Sequence, residues 1–144
     1  MLTQAEVDRL LSLVKVLVDR GPIDFPQAGT TKQLEVKSKD GREAFIIDVN
    51  RKGKIKVSKC TYQERYQNIE ILLRLDIDGP PHENPDGTEM PCPHLHIYRE
   101  GFADKWAHPL PRGEFTDTSD LVKTLKEFLR YCKVQDIPDV QRVI

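Results

Sequence analysis

An alternation of apolar and polar side chains with a two-residue period constrains the fold of this chain more than any other feature of its sequence. The alternation runs from residue 69 to residue 78, and its period is that of a β-strand with one buried face. The apolar set is Ile69, Ile71, Leu73, Leu75 and Ile77, and the opposite set is Glu70, Leu72, Arg74, Asp76 and Asp78. The segment therefore predicts a strand with an apolar face and a mostly charged face.

A second, shorter run divides its side chains in the same way. Its apolar side chains are Leu95 and Ile97, and its polar ones are His94, His96 and Tyr98. If the two runs pair as a hairpin, their apolar faces must coincide on the core, because a slip of one residue would expose them. The polar side chains of the second run then share the outer face with Arg74 and Asp76. We interpret this shared face as the candidate functional surface.

The composition is that of a soluble globular protein with a single domain covering residues 1–144. Charged residues make up 31% of the 144 residues and hydrophobic residues 38%, and the formal net charge is -1. No apolar run approaches the roughly 20 residues of a membrane span. The N-terminus also lacks the basic-then-apolar layout of a signal peptide. We expect a cytoplasmic location and no membrane association.

Helical patterns occur at both ends of the chain. The run from Thr3 to Glu6 has the pattern of a capping box, and apolar residues then recur every three or four positions until Gly21-Pro22. A second apolar stripe with the same spacing follows the capping residues between Thr116 and Asp120 and ends near Val134. The sequence predicts an N-terminal and a C-terminal helix.

Short strands separated by turn signals lie between the helices. Five strands are predicted. The first begins at Thr31, the second begins at Glu43, the third covers Lys54 to Cys60, and the last two are the runs described above. The polar stretch from Tyr62 to Asn68 is either a connector or the start of the next strand. The predicted fold is α+β: a five-stranded antiparallel, meander-like sheet with both helices packed on one face.

Charge is segregated along the chain despite the low net charge. Residues 31–65 contain ten Lys/Arg and five Asp/Glu, whereas residues 76–90 contain five acids and no Lys or Arg. The basic strands allow contact with nucleic acid, although lysines that protect exposed sheet edges would give the same pattern. The loop from Asp78 to Pro93 carries five prolines and two glycines, and a loop of this length in a compact domain is commonly functional.

The predicted surface suits acid/base cleavage of RNA without a cofactor. Such cleavage needs a base for the 2′-hydroxyl, an acid for the leaving oxygen and a cation at phosphorus. His94 and His96 supply the first two groups, Arg74 the third, and Asp76 orients an imidazole. A second set of side chains could contact the RNA, for example by stacking on a base. This predicted binding set is Tyr98, His82, Arg65 and Trp106.

Two alternatives remain open at this point. His94 and His96 form a His-x-His pair, which places two imidazoles on one side of a strand and can begin a metal site. His82, Asp76, Cys92 or His108 could supply a third ligand, and His94, His96 and His82 are the preferred set if a metal is present. Alternatively, the polar residues are ordinary solvated side chains of an exposed sheet face.

Two resemblances are carried by the residues around the histidines. The run from Pro91 to Leu110, which contains PHLHIYREGF and KWA, resembles the signature of an uncharacterised bacterial family found near prophage or mobile-element genes. The pattern Arg74-x-Asp76-x4-Pro81-His82, followed by Pro93-His94-x-His96, is more distantly similar to TumE-type toxins of toxin-antitoxin systems. The second resemblance implies ribonuclease activity and a helix-turn-helix antitoxin as partner.

Three functional hypotheses follow. The first is a small, metal-independent ribonuclease of the toxin type, which acts through His94, His96 and Arg74 and is neutralised by an antitoxin. The second is a non-enzymatic phage or mobile-element protein that binds a host protein through Trp106 or the acidic loop. The third is a metal-dependent hydrolase that uses the His-x-His pair.

Overall fold

The computed structural model describes residues 1–53 and 59–142, which contain two helices and twelve strands. The helices are α1 (Gln4–Ser12) and α2 (Leu121–Tyr131). The strands before α2 are β1 (Lys15–Leu17), β2 (Ile23–Phe25), β3 (Thr31–Ser38), β4 (Ala44–Asn50), β5 (Thr61–Tyr66), β6 (Glu70–Asp76), β7 (His82–Glu83), β8 (Glu89–Met90), β9 (His94–Ile97) and β10 (Ala107–His108). After α2 come β11 (Val134–Gln135) and β12 (Val140–Arg142). The fold class is α+β, as predicted.

Eight of these strands form one mixed sheet, in the order β10-β9-β6-β5-β4-β3-β1-β11. Neighbouring strands are antiparallel except for β1 and β11, which are parallel. The prediction of five antiparallel strands is therefore wrong in strand number and in strand direction. The undecided stretch after Tyr62 belongs to β5, and the predicted strand from Lys54 to Cys60 falls mostly outside the described residues.

The N-terminal helix is shorter than predicted. The capping box is present, since the Thr3 side chain accepts from the Glu6 amide and the Glu6 carboxylate accepts from the Thr3 amide. The helix ends at Ser12, and the next residues form β1 against β3. Val14, Val16 and Val18 alternate at the spacing of a strand, and their β-branched side chains favour extended backbone. Val14 and Val18 also have helical spacing relative to the residues before them, and this spacing led to the prediction of a longer helix, which is wrong.

Both helices bury apolar side chains in the same cluster as the inner face of the sheet. The clearest contact is that of Tyr62 in β5, whose ring lies 5.9 Å from that of Phe128 and whose hydroxyl donates to the Leu121 carbonyl at 2.7 Å. Burying these apolar side chains is the main stabilising contribution to a fold of this size. The inner face is thus occupied by core, and the opposite, outer face is available for a site.

A bulge changes the predicted faces at the beginning of β6. Glu64 pairs with Leu73, but Arg65 pairs with Ile71, so Leu72 has no partner on β5. Leu72 is fully buried and Ile69 is 79% exposed, which reverses the prediction for these two residues. An extra residue in one strand shifts the alternation by one position, and the periodic pattern could not indicate it. Beyond the bulge, Leu73, Leu75 and Ile77 are buried as predicted.

No helix within residues 1–53 and 59–142 combines the length and the apolar character that a membrane crossing requires.

Candidate functional site

The two strands with the predicted site residues are direct neighbours. β6 and β9 pair in antiparallel orientation, with Arg74 opposite His96 and Asp76 opposite His94. Directly opposed residues of two strands point to the same side of a sheet. The prediction that these four side chains share one face is confirmed.

One carboxylate oxygen and two imidazole nitrogens converge on this face. Asp76 Oδ2 lies 3.1 Å from His94 Nε2 and 3.2 Å from His96 Nε2. The exposed fraction of the side chain is 2% for His94 and 0% for His96, compared with 19% for Asp76. We refer to Asp76, His94 and His96 as the His/Asp cluster. Its two imidazoles are shielded from water, so their environment is set by protein groups.

The other nitrogen of each imidazole faces main-chain carbonyls. His94 Nδ1 lies 3.1 Å from the Met90 carbonyl oxygen, and His96 Nδ1 lies 2.8 Å from that of Asp104. A carbonyl oxygen can only accept a hydrogen bond, so both Nδ1 atoms carry the proton. In the neutral imidazole the Nε2 atom then presents a lone pair, and both lone pairs point toward the Asp76 carboxylate.

Arg74 supports this assignment for His96. Its Nη2 atom lies 3.0 Å from His96 Nε2, and because a guanidinium has only donors, this Nε2 atom accepts. Arg74 Nε also lies 3.3 Å from Asp76 Oδ1, and Arg74 Nη1 donates to Asp104 Oδ2 at 3.0 Å. His96 Nε2 and Asp76 Oδ2 lie 3.2 Å apart beside this guanidinium.

The carboxyl group of Asp76 is ionised at neutral pH. Burial raises the pKa of its carboxyl group, but contact with His96 and the charge of Arg74 outweigh burial and bring the pKa down to about 2. The Thr61 hydroxyl also donates to Asp76 Oδ1, at 3.3 Å. The His/Asp cluster therefore contains a carboxylate charge beside two buried imidazoles.

The long loop between β6 and β9 folds back over the cluster and carries His82. The His82 ring centroid lies 4.6 Å from that of His96 and 6.0 Å from that of His94. His82 Nε2 donates to the Lys105 carbonyl at 2.7 Å. Asn84 fastens the same loop to β10, because its amide donates to the Ala107 carbonyl at 3.0 Å and accepts from the Ala107 amide at 2.8 Å. The loop was expected to lack regular structure, but it contains the hairpin of β7 and β8.

A polar cleft of about 440 Å³ opens beside the cluster. It is bounded by the outer ends of β4, β5 and β6 and by the loop that follows β6. The residues that line it include Asn50, Lys59, Thr61, Gln63, Arg74, Asp76, His82, Cys92 and His94. Of the two clustered imidazoles only His94 belongs to this lining, whereas His96 lies beneath it. A molecule in the cleft could therefore contact His94 and His82 but not His96.

Three predicted binding residues lie elsewhere. Tyr98 is 1% exposed, belongs to the core cluster, and its hydroxyl accepts from the Leu2 amide, so the prediction that it shares the outer polar face is wrong. Tyr98 follows the last paired residue of β9. At this point the bulge in β6 has changed which side chains face the core. Arg65 makes a bidentate ion pair with Asp48, in an adjoining depression, and does not itself line the cleft. Trp106 stacks with Phe102 and with the Arg99 guanidinium and does not line the cleft.

Two of the further ligand candidates are also displaced from the convergence point. Cys92 Sγ lies 3.6 Å from His94 Nδ1, on the side of the ring that faces away from Asp76. Burial raises the pKa of the Cys92 thiol, and the charge of Asp76 raises it further, which disfavours a thiolate. His108 lies in β10, and burial together with the charge of Arg99 lowers its pKa.

Sequence reasoning missed two residues of the site. Asp104 holds His96 with its carbonyl and Arg74 with its carboxylate, because the chain turns back after β9 through the bridge between Arg99 and Ala103. Lys59 brings a positive charge to the cleft from the segment before β5. The only sequence signal for Asp104 is its position shortly after His96, and nothing in the pattern indicated Lys59.

The His/Asp cluster is a group of three side chains that could hold a metal ion. Ligands about 2.1 Å from an ion lie roughly 3.0 to 3.4 Å apart in octahedral or tetrahedral geometry. The two distances from Asp76 Oδ2 to the imidazole Nε2 atoms, 3.1 and 3.2 Å, fall in this range, and all three atoms lie within 4.8 Å of one another. Carbonyl groups that fix the Nδ1 proton are the usual outer partners of metal-binding histidines. His82, the third ligand expected from sequence, does not belong to this group, and Asp76 takes its place.

Comparison with known proteins gives one finding. The chain has no significant match among curated proteins or among solved structures. The distant similarity to TumE-type toxins and the prophage-associated motif therefore remain predictions. A family model described as a family of unknown function (DUF6978) matches residues 2–134, and because this is most of the chain, the protein belongs to that family.

Proposed function

We propose that this protein is a metal-dependent hydrolase whose divalent ion is held by Asp76, His94 and His96. The observation that supports it best is the convergence of Asp76 Oδ2 with two imidazole Nε2 atoms at 3.1 and 3.2 Å, while both Nδ1 atoms face main-chain carbonyls. Arg74 contacts His96 Nε2 and Asp76 Oδ1 from one side, and a divalent ion at the convergence point would be held by all three ligand atoms. Imidazole and carboxylate ligands favour zinc, iron or nickel over magnesium or calcium.

The chemistry follows from the position of the cluster at the wall of the cleft. A bound divalent ion lowers the pKa of a coordinated water molecule and so supplies a hydroxide nucleophile near neutral pH. Three protein ligands leave at least one position open for this water, as is typical of catalytic sites. Polar groups line the cleft beside this position, which suits a hydrated, polar substrate.

Metal titration of the purified protein tests the proposal. After removal of metal with a chelator, zinc should bind with a stoichiometry of one ion per chain, and Asp76→Asn or His94→Ala should each abolish tight binding. His108→Ala is the matched control, because His108 lies in the neighbouring strand outside the cluster. Zinc binding that is equally tight in the wild type and in both cluster variants contradicts the proposal.

A second candidate is the metal-independent ribonuclease expected from sequence, with an antitoxin as its protein partner. It is favoured by the fact that His94 and His82 line one cleft with Arg74 and Lys59. In this version His82 replaces His96 as a proton-transfer group, because His96 is fully buried. Cleavage of RNA that persists in the presence of a chelator and is lost in His82→Ala supports this candidate. Cleavage that requires added metal and survives His82→Ala contradicts it.

A further inference from the structure

Arg74 forms a hydrogen bond to one of the atoms that would ligate the proposed metal ion. Its Nη2 atom donates to His96 Nε2 at 3.0 Å, and the lone pair of that nitrogen cannot be given to a hydrogen bond and to a metal at the same time. Binding of an ion therefore requires the guanidinium to leave His96. The ion and Arg74 compete for the same atom, so Arg74 must move when the metal enters.

The displaced guanidinium keeps an anchor. Arg74 Nη1 donates to Asp104 Oδ2 at 3.0 Å, and this bond involves no atom of the His/Asp cluster. The Arg74 side chain is 27% exposed and lines the cleft, so rotation away from His96 turns its free N–H groups toward the cleft. In the metal-bound state Arg74 thus becomes a donor to whatever the cleft contains.

The charge of the cleft changes at the same time. Its ionised side chains are Lys59 and Arg74, which are positive, and Asp76 and Asp78, which are negative, so they sum to zero. A divalent ion brings this sum to +2. Among common anionic groups, phosphate fits two cationic side chains and a metal ion best, because its several oxygens can contact all three.

We propose that the cleft binds a phosphate ester and that Arg74 couples this binding to metal occupancy: the ion displaces the guanidinium from His96, and the guanidinium then holds the phosphate. This inference rests on the proposed metal-dependent hydrolase. The reaction would be hydrolysis at phosphorus. The ion held by Asp76, His94 and His96 would supply an activated water. That water oxygen would form a bond to phosphorus, the bond from phosphorus to the ester oxygen would break, and the alcohol would leave with a proton from the water. No oxidant or reductant is needed.

Calorimetric titration with inorganic phosphate tests the coupling. Phosphate should bind the zinc-loaded wild type at least tenfold more tightly than the metal-free wild type, which is within the usual range of coupling between two sites. In Arg74→Gln this enhancement should fall below threefold. In Arg74→Lys, which keeps the charge, part of the enhancement should return. Arg20→Gln is the control, since Arg20 is exposed and lies outside the cleft lining.

Zinc titration of the same variants tests the competition separately. Zinc should bind Arg74→Gln and Arg74→Lys severalfold more tightly than the wild type, because neither side chain can place an N–H group on His96 Nε2 in the same way. Zinc binding to the wild type combined with a phosphate affinity that is independent of zinc overturns this inference but leaves the proposed function standing. Unchanged or weaker zinc affinity in both Arg74 variants overturns it as well. Absence of zinc binding to the wild type rejects both proposals.

Discussion

At the scale of single residues, the proposed site depends on which nitrogen of each imidazole carries the proton. Main-chain carbonyls of Met90 and Asp104 hold the protons on Nδ1 of His94 and His96, so that Nε2 is the nitrogen directed at the cluster. These carbonyls belong to the loop before β9 and to the turn after it, so the backbone sets the tautomer. Asp76 contributes a charge that persists down to very low pH, because its pKa is about 2.

Substitutions of Asp76 and of His82 should change the zinc affinity differently, because Asp76 and not His82 is the proposed third ligand. Asp76→Asn should lower the zinc affinity by at least about tenfold, because the carboxylate is both a ligand atom and the charge of the cluster. His82→Ala should change the affinity by less than about threefold, since His82 Nε2 donates to the Lys105 carbonyl and the ring lies outside the ligand group. Competition with a zinc-sensitive dye measures both affinities. A larger loss in His82→Ala than in Asp76→Asn would restore the ligand set expected from sequence.

A second prediction concerns the buried pair of Lys15 and Glu64. Lys15 Nζ lies 3.6 Å from Glu64 Oε2, and both side chains are fully buried. Burial raises the pKa of Glu64 from 4.5 to about 7, although the charge of Lys15 acts in the opposite direction. Between these two pH values the folded protein binds more protons than the unfolded chain. The free energy of unfolding should therefore fall as the pH rises from about 4.5 through about 7.

Urea denaturation at a series of pH values tests this dependence. The wild type should lose up to a few kcal/mol of stability over this pH range, and Glu64→Gln should show a flatter profile because glutamine does not titrate. The comparison of slopes is the readout, since the substitution also changes the overall stability. Identical slopes in both proteins would show that Glu64 has an ordinary pKa.

At the scale of elements, the site depends on how the loop between β6 and β9 is fastened. Asn84 is 5% exposed and forms two hydrogen bonds to the main chain of Ala107 in β10. The Asn84 amide thus satisfies main-chain groups of β10 that a further strand at the edge of the sheet would otherwise satisfy. His82 is carried by the same loop, so Asn84 also fixes the position of one wall of the cleft.

Asn84→Ala should lower the free energy of unfolding by about 2 kcal/mol, because it leaves a buried N–H and a buried carbonyl of Ala107 without their partner. Glu89→Ala is the control, since Glu89 is exposed in the same hairpin. Chemical denaturation gives the stability, and hydrogen exchange at the Ala107 amide reports the local effect. Equal stability and equal exchange in the two variants would mean that the loop is held by other contacts.

The periodicity of the sequence correctly predicted those segments in which no bulge and no second pattern interferes. β3 and β4 have the expected alternation, β6 has it beyond the bulge, and α2 has the expected stripe. β1 was missed because Val14, Leu17 and Val18 continue the spacing of the helical stripe, and only pairing with β3 shows that this segment is extended. β5 was uncertain because its buried set includes the charged residue Glu64, which is compatible with the core only through Lys15 from another strand.

The site was predictable to the extent that it lies on regular strands. The shared face of Arg74, Asp76, His94 and His96 followed from the alternation and the assumed pairing of the two strands, whereas their register did not. The burial of His96, the role of Asp104 and the position of Tyr98 did not follow, because they depend on the returning loop and on the β6 bulge. These features arise from tertiary packing, which no local pattern in the sequence specifies.

At the scale of the whole molecule, a metal ion would link two neighbouring strands of the large sheet, β6 and β9. Ligands from β6 and β9 are held by one ion, so binding should stabilise the folded state. At an ion concentration about 100 times Kd, the stabilisation is about 2.7 kcal/mol. For a chain of this size the corresponding rise in Tm is about 5 to 10 °C. Calorimetric unfolding should show this rise with zinc in the wild type and not in His94→Ala, and a similar rise in both would place the ion elsewhere.

The central claim is that Asp76, His94 and His96 together hold one divalent ion. Its most direct test is the metal content of the purified protein after exposure to one equivalent of zinc and extensive dialysis. Inductively coupled plasma mass spectrometry should find about one zinc per wild-type chain and almost none in the variant with both His94→Ala and His96→Ala, provided that circular dichroism shows the variant to be folded. Dialysed wild-type protein without zinc, or a folded double variant that keeps as much zinc as the wild type, would contradict the claim.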